Sequence, residues 1–271
     1  MQPTSTAPHQ ARKRFGQNFL IDQGVIRRIC RSIGATAKDK LVEIGPGQGA
    51  ITRGLLQACP SLDVIELDRD LIPVLMHDFS SYPECRIHEA DALKFDFRAL
   101  RDDERRLRIV GNLPYNISTP LIFHLLAQRD AIRDMHFMLQ KEVVERMAAP
   151  KGSKSYGRLS VMTQYFCEVE NLFDVAPECF RPIPKVVSSI VRLTPKPAPD
   201  ARATNEEFFA DLVKLAFQQR RKTLRNAIRS TTEQLDANLL EALELGRRAE
   251  QLSVSDFVAL SNTLCDAQQR H

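Results

Sequence analysis

Long apolar stretches are missing from this chain of 271 residues, which has no run near the roughly 18 residues that a membrane-spanning helix needs. The first ten residues are polar and include two prolines, which is not the pattern of a signal peptide. We therefore expect a cytoplasmic protein without a membrane contact. Residues 1–11 have the composition of a flexible tail.

Metal-ligand spacings are missing as well. The six cysteines are scattered without a C-x-x-C pair, which argues against both a zinc site and a disulfide framework. The six histidines show no ligand spacing either. We expect no metal, and we expect most cysteines to be small buried apolar side chains.

Acidic residues are missing from one stretch near the C-terminus. The net charge of the chain is only +4, but residues 214–229 contain no Asp or Glu and six cations, namely Lys214, Arg220, Arg221, Lys222, Arg225 and Arg229. Two smaller basic clusters lie in residues 12–14 and 151–158. Basic clusters of this kind indicate a polyanionic partner.

Short β-branched segments alternate with helical patterns along the first two thirds of the chain. The segments are KLVEIG, LDVIEL, CRIHEA, LRIVGN, MHFMLQ, VMTQYFCEV and VVSSIVRL. The first five are separated by stretches long enough for crossover helices, which predicts an α/β fold with a doubly wound, mostly parallel sheet. The last two are joined by a loop, which predicts an antiparallel hairpin at one edge.

The proline-rich stretch TPKPAPDARAT divides the chain into two domains. We predict a sheet domain over residues 12–197, a linker over 198–204 and a small all-α domain over 205–271. A further helix is expected from about Gln23 to Ile33, before the first strand of the sheet.

The first strand runs into a glycine-rich turn that opens a helix. Gly45, Gly47 and Gly49 allow a tight turn and a close approach of the backbone to a ligand. The turn lacks the spacing of a dinucleotide-binding loop and the lysine and hydroxyl of a Walker motif, so it is not typical of a phosphate site.

Acidic residues follow the next two strands. Glu66 ends the second strand, where a carboxylate can accept from two ribose hydroxyls, and Asp91 follows the third, where it can accept from an adenine amino group. A ribose acid and an adenine acid without a phosphate site favour S-adenosylmethionine over a nicotinamide dinucleotide.

The fourth strand ends in Asn112, Leu113, Pro114 and Tyr115. The lone pair of an exocyclic adenine nitrogen is delocalised into the ring, and acceptors that bind both of its hydrogens would favour a nucleophilic geometry. The Asn112 amide oxygen and the Leu113 carbonyl can be those acceptors, and Pro114 stiffens the turn. Tyr115 offers a face for stacking a base.

Seven segments together resemble the bacterial small-subunit (16S) ribosomal RNA adenine N6,N6-dimethyltransferases. They are QNFLID, VEIGPGQGAIT, VIELDRDL, EADAL, VGNLPYNIS, FRPIPKVVSSIV and AFQQRRKTLRN. The resemblance implies a class I methyltransferase (Rossmann-like) fold, S-adenosylmethionine as methyl donor, and dimethylation of two adjacent adenines in the 3′-terminal hairpin loop of 16S rRNA. The expected partner is 16S rRNA within the immature small ribosomal subunit, and the enzyme is expected to be a monomer.

The resemblance also implies roles for individual residues. The cofactor would be held by Asn18, Leu20, Gly45, Gly47, Glu66, Asp91 and Asn112. Phe180 would be a second aromatic wall opposite Tyr115, around the flipped target base.

The basic segment is predicted to be a helix that grips RNA phosphates through Arg220, Arg221, Lys222, Arg225 and Arg229. Within it, Lys222, Arg225 and Arg229 have the spacing of one helix face.

Three alternatives stay open. An antibiotic-resistance methylase of large-subunit RNA has the same fold and a similar fourth-strand motif, but FRPIPKVVSS and FQQRRKTLRN favour the small-subunit family. A DNA adenine methylase would need a larger base-recognition domain than the C-terminal segment offers. The protein could also be chiefly an assembly-binding factor for which methyl transfer is the release step.

Overall fold

A computed structural model of the chain describes residues 18–199, 201–219, 221–232, 241 and 243–268. Its strands are β1 (Phe19–Leu20), β2 (Lys40–Ile44), β3 (Leu62–Glu66), β4 (Cys85–Glu89), β5 (Leu107–Asn112), β6 (Ile132–Gln140), β7 (Cys167–Val175), β8 (Phe180–Arg181) and β9 (Ser188–Pro195). Its helices are α1 (Gln23–Ile33), α2 (Thr52–Ala58), α3 (Ile72–Asp78), α4 (Ser118–Leu126), α5 (Lys141–Met147), α6 (Arg158–Phe166), α7 (Glu206–Gln218), α8 (Leu224–Ala227), α9 (Arg229–Thr232) and α10 (Val254–Gln268). None of the helices in these ranges is long and apolar enough to cross a membrane.

Seven strands form one sheet in the order β4-β3-β2-β5-β6-β9-β7. The five strands from β2 to β6 pair in parallel, and β9 runs antiparallel to β6. Strands β2, β3 and β5 are buried along nearly their whole length, as expected for parallel strands covered on both faces. The predicted α/β fold with a mostly parallel sheet and an antiparallel edge is confirmed.

Helix α1 begins and ends where its sequence places a start and a stop signal. The Asp22 side chain accepts from the backbone N–H of Val25 at 2.8 Å, and Gly34 ends the helix in the left-handed conformation with φ at 59°. Ile26, Ile29 and Ile33 form its buried face. The helix predicted from about Gln23 to Ile33 is therefore present.

One predicted strand is wrong in its first part. The segment VMTQYF belongs to helix α6, and the strand begins only at Cys167. Nearly every side chain of α6 is buried, so the apolar residues occur without a helical period. Such a run cannot be assigned to a strand or a helix by its periodicity alone.

The chain divides into two compact units, and the division does not follow the proline-rich stretch alone. The first unit comprises Met1–Val144 and Glu170–Thr194, and the second comprises Glu145–Val169 and Pro195–His271. Helix α6 therefore groups with the C-terminal helices, where the Tyr165 and Phe209 rings lie 4.5 Å apart between centroids. The Tyr165 hydroxyl also accepts from the Ala203 backbone N–H. The domain limits set by sequence stay a prediction. The two units differ from it because residues 145–169 and 195–204 belong to the second unit.

Candidate active site

A cavity of about 920 Å³, including the solvent at its mouth, opens at the carboxyl ends of the parallel strands. This is the edge at which ligands bind in open α/β sheets. The side chains and backbone that line it are those of Asn18, Phe19, Ile44, Gly45, Gly47, Ile65, Glu66, Leu67, Ala90, Asp91, Ala92, Asn112, Leu113, Pro114, Tyr115, Asn116 and Ile117. Most of the predicted site residues therefore share one cavity.

The glycine turn after β2 forms one wall. Gly47 has a φ of +59°, and a Cβ atom on it would lie 3.2 Å from the Phe19 ring. A side chain at this position would therefore be strained and would crowd the neighbouring strand β1. The turn consequently exposes bare backbone to the cavity, next to Asn18.

Glu66 ends β3 and is held in place by backbone donors. Its Oε1 atom accepts from the N–H groups of Leu67 and Asp68 at 2.8 Å each. Burial raises the pKa of Glu66, while the hydrogen bonds from Asp68, Leu67 and Gly47 act in the opposite direction. The carboxylate is thus fixed at the strand end with acceptor capacity left for hydroxyl groups.

Asp91 lies on the turn after β4 and is anchored in the same way. Its Oδ1 atom accepts from the Leu93 N–H at 3.0 Å, and its backbone carbonyl accepts from Lys94. The side chains of Leu67 and Ala92 line the cavity beside the two acids and supply apolar surface for a planar ring. The part of the cavity between Glu66 and Asp91 therefore has polar groups at its ends and apolar side chains along its sides.

Asn112 ends β5, and a backbone atom of β1 orients its amide group. Its Nδ2 atom donates to the Asn18 carbonyl at 3.3 Å, which leaves Oδ1 as the acceptor of this amide. A Cβ atom on the preceding Gly111 would lie 2.7 Å from the Ile44 carbonyl oxygen. Glycine at that position therefore allows β5 to lie close enough to β2 to bring Asn112 beside the glycine turn.

Leu113, Pro114 and Tyr115 form the turn between β5 and α4. The Leu113 N–H donates to the Met138 carbonyl on β6, the Pro114 carbonyl accepts from Ile117, and the Tyr115 hydroxyl lies 3.0 Å from the Ser188 Oγ atom. The hydroxyl end of the tyrosine side chain is thus held, and its partly buried ring lines the cavity.

Two predicted site residues lie elsewhere. Leu20 and Phe180 pair across the short sheet of β1 and β8, and their side chains are buried in the apolar core, 5% and 1% exposed. Neither belongs to the residues that line the cavity. The second aromatic wall at Phe180 stays a prediction.

A third carboxyl group lies on the strand that leads into the glycine turn. Glu43 on β2 is 2% exposed, and burial, with the nearby Glu66 carboxylate as a smaller contribution, raises its pKa to about 7. Glu43 is thereby only partly charged at pH 7, and it is not among the residues that line the cavity. Sequence reasoning did not identify this residue, although a glutamate between Val42 and Ile44 in a predicted strand was a visible signal.

Sequence reasoning also missed several apolar lining residues, chiefly Phe19, Leu67 and Ile117. Each is adjacent to, or within two residues of, a predicted polar residue, and that proximity was the only available signal. Polar groups fix a ligand's orientation, but apolar side chains provide most of a binding surface.

The basic segment is not the single helix that was predicted. Helix α7 ends at Gln218, Arg221 and Lys222 lie in a turn, Arg225 belongs to α8, and Arg229 begins α9. The Leu224 and Arg225 N–H groups donate to the carbonyls of Arg247 and Leu245, and these bonds hold the chain in a bent course. Lys222, Arg225 and Arg229 therefore do not form one helix face. Arg220 and the residues 1–11 lie outside the described residues.

The fold and the cavity define a class I methyltransferase with an Asn-Leu-Pro-Tyr turn at the end of its fourth parallel strand. The family described as ribosomal RNA adenine dimethylase matches residues 8–266. The chain belongs to this family, and it is an rRNA adenine dimethyltransferase that uses a methyl donor of the S-adenosylmethionine type.

Relatives and solved structures agree with this assignment. A ribosomal RNA small subunit methyltransferase A of Saccharophagus degradans is 63% identical over 94% of this chain and 95% of its own. One from Marinomonas sp. is 55% identical over 96% and 97%. The crystal structure of a dimethyladenosine transferase from Plasmodium falciparum covers 89% of this chain and 95% of its own, with a TM-score of 0.74 at 28% identity. The 23S rRNA methyltransferase ErmE shares the fold, with a TM-score of 0.69 at 23% identity over 92% and 100%.

Proposed function

We propose that this protein transfers methyl groups from S-adenosylmethionine to N6 of two adjacent adenines in the 3′-terminal hairpin loop of 16S rRNA. The products are N6,N6-dimethyladenosines, formed in the cytoplasm on the immature small subunit by a monomeric enzyme that needs no metal. The observation that carries the proposal is the fixed Asn112 amide, whose oxygen is presented in a cavity shared with Glu66 and Asp91.

The cavity fits the proposed methyl donor. Glu66 would accept from the ribose hydroxyls and Asp91 from the adenine amino group, because each carboxylate has more acceptor positions than the backbone N–H groups that bond to it. The bare backbone of Gly45 and Gly47, with Asn18, would hold the methionine part. When bound, S-adenosylmethionine supplies an electrophilic methyl group on a sulfonium.

The turn after β5 would hold the target amine. The Asn112 Oδ1 atom and the Leu113 carbonyl would each accept one N6 hydrogen, which favours the pyramidal, nucleophilic form of the nitrogen. Tyr115 would stack on the adenine, since its ring is held by the hydrogen bond to Ser188. Positioning of this kind accounts for a large part of a rate enhancement.

No strong general base is required at this site. After methyl transfer the amine is cationic and loses its proton readily, and no histidine is found among the residues that line the cavity. The monomethylated amine keeps one hydrogen, so a second transfer needs space for the first methyl group to rotate away. The target base must also leave any stacked arrangement to enter the cavity.

The basic residues around the bend would bind RNA phosphates. Arg221, Lys222, Arg225 and Arg229 are cationic, and all four are exposed. A bent segment that presents cations from a turn and two short helices fits an irregular RNA backbone and would orient the RNA without reading bases. Arg220 remains part of this proposal by its sequence position alone.

Replacing Arg221, Lys222 and Arg225 with Gln is expected to weaken binding to small subunits and to reduce its salt dependence. Loss of three phosphate contacts should lower the slope of log affinity against log salt by about 2 to 3. Filter binding at several salt concentrations measures this. The matched control replaces Lys38, Arg101 and Arg106, which lie before the amino ends of strands, away from the cavity. Unchanged affinity and slope in the first triple variant would remove this segment from the RNA interface.

The proposed reaction is tested by incubating labelled S-adenosylmethionine with small subunits that lack the modification, followed by nucleoside mass analysis. Dimethyladenosine at two neighbouring loop adenines is expected. Label on large-subunit RNA alone would instead support a resistance methylase. Tight subunit binding without label on either RNA would support an assembly-binding factor.

A further inference from the structure

A loop of apolar residues lies exposed between β8 and β9, over residues 182–187. Ile183 is 55% exposed, and Val186 and Val187 are 38% exposed each. They are three of the seven large apolar side chains that are exposed in the described part of the chain. Contiguous exposed apolar surface of this kind is typical of an interaction site, whereas single exposed side chains are ordinary.

Both ends of this apolar loop are attached to elements of the active site. At its start, Arg181 pairs with Phe19, which lines the cavity. At its end, Ser188 hydrogen-bonds to the hydroxyl of Tyr115, the residue proposed to stack on the target adenine. The apolar loop therefore lies beside the place where the target base would enter.

Ile21 adds to the apolar surface from the other side of the β1–β8 pair. It follows Leu20 directly, is 45% exposed, and its N–H donates to the Cys179 carbonyl at 2.8 Å. The apolar residues around Arg181 therefore come from two chain segments that are hydrogen-bonded to each other.

The loop has little conformational freedom and carries positive charge. Pro182 and Pro184 fix two of its φ angles, and Pro184 is buried, which anchors its middle. The Val187 carbonyl accepts from the Lys141 N–H at 2.9 Å. Lys185 is exposed between Ile183 and Val186, and the sequence from Phe180 to Arg192 contains no Asp or Glu. The apolar loop is thus stiff, and it carries a cation and no acid. Such a loop is better suited to contact a nucleic acid than to contact an apolar or basic protein surface.

We propose that the apolar loop is a wedge that stabilises the extruded state of the target adenine. Ile183 inserts beside the bases that flank the target and takes the stacking position the adenine leaves, while Lys185 contacts an adjacent phosphate. Apolar side chains inserted between bases offset the loss of stacking in this way in other nucleic-acid-binding proteins. The proposal deepens the proposed function and rests on it, since it assigns a positioning residue for the same RNA substrate.

The test compares Ile183→Ser with Ile183→Leu on unmodified small subunits. With saturating enzyme and S-adenosylmethionine, the serine variant is expected to methylate about tenfold or more slowly, because serine cannot take the stacking position that the adenine leaves. The leucine variant should retain most of the parent rate, because it keeps the apolar volume. The affinity for S-adenosylhomocysteine should be unchanged in both. Fluorescence of 2-aminopurine beside the target adenine should rise with parent and leucine enzymes, but less with the serine variant.

Met76→Ser on α3 is the matched control, because Met76 is equally exposed at 55% and is not a lining residue of the cavity. It should leave the rate and the fluorescence unchanged. If the parent enzyme methylates the subunits and Ile183→Ser does so at the same rate with the same fluorescence, the wedge is overturned and the proposed function stands. If the parent enzyme methylates no ribosomal RNA, both proposals fail together.

Discussion

Asn112→Ala is expected to lower the rate of methyl transfer by about 100-fold or more, with binding to the small subunit retained. The alanine removes the amide oxygen that accepts from the target amine. It also removes the hydrogen bond that the amide donates to the Asn18 carbonyl at 3.3 Å. The variant retains every basic residue of the proposed RNA-binding segment. It should therefore lose methyl transfer without losing RNA binding.

The measurement is the single-turnover rate on unmodified subunits at saturating S-adenosylmethionine, with subunit affinity measured by filter binding. Saturation is needed because the family resemblance also implies that Asn112 helps to hold the cofactor. Asn116→Ala is the matched control: it is the same substitution in the same cavity, at an exposed residue without a proposed acceptor role. A near-parent rate for Asn112→Ala would contradict the assignment of this amide as an acceptor.

The sequence predicts the site at the carboxyl ends of the strands well, because the residues that follow each strand and the arrangement of the strands indicate the same place. Short buried strands followed by glycine, acid or amide residues indicate parallel strands whose ends meet at one edge. The placing of Gly47, Glu66, Asp91 and Asn112 around one cavity follows from that rule, whereas Asn18, which precedes β1, was expected from the family resemblance alone. The burial of Phe180 does not follow from it, since its position depends on the pairing of β1 with β8, which are two residues long each.

The bend after α7 shows a second limit. Residues 219–229 contain good helix formers, so local propensity favours a continuous helix. The observed hydrogen bonds join Leu224 and Arg225 to Arg247 and Leu245, about 20 residues further along. Such non-local bonds cannot be read from the period of a single sequence, and tertiary contacts override helix propensity routinely.

Arg108→Met is expected to have the largest effect on stability, lowering the free energy of unfolding by about 3 to 5 kcal/mol. Arg108 is the second residue of β5, at the opposite end of the sheet from the cavity, and is buried. Its guanidinium contacts Asp39 and Asp134 at 3.0 Å each, and it also donates to the Ile33 carbonyl at 2.6 Å. Methionine has a similar apolar volume, so the main effect is that two nearly buried carboxylates lose a shared partner. Chemical denaturation measures the difference.

The matched control is Arg98→Met, which breaks an ion pair with Asp130 on the surface. Both side chains of this pair are about half exposed, so a loss of less than about 1 kcal/mol is expected. Similar losses in the two variants would show that Arg108 contributes no more than a surface pair.

The pH dependence of stability follows from the same network. Burial acts to raise the pKa of both Asp39 and Asp134, but the charge of Arg108 and its hydrogen bonds contribute to a net lowering below the usual value. A carboxyl group whose pKa is lowered in the folded state contributes stability above its unfolded pKa. That contribution is lost as the pH falls through the folded pKa.

In Arg108→Met, the interactions that oppose the effect of burial are weaker, so the pKa values of Asp39 and Asp134 both rise. The difference in stability between parent and Arg108→Met should therefore be largest near neutral pH and should shrink as the pH falls below about 4, the usual aspartate pKa. A difference that stays constant across that range would mean that Arg108 stabilises the fold by packing alone.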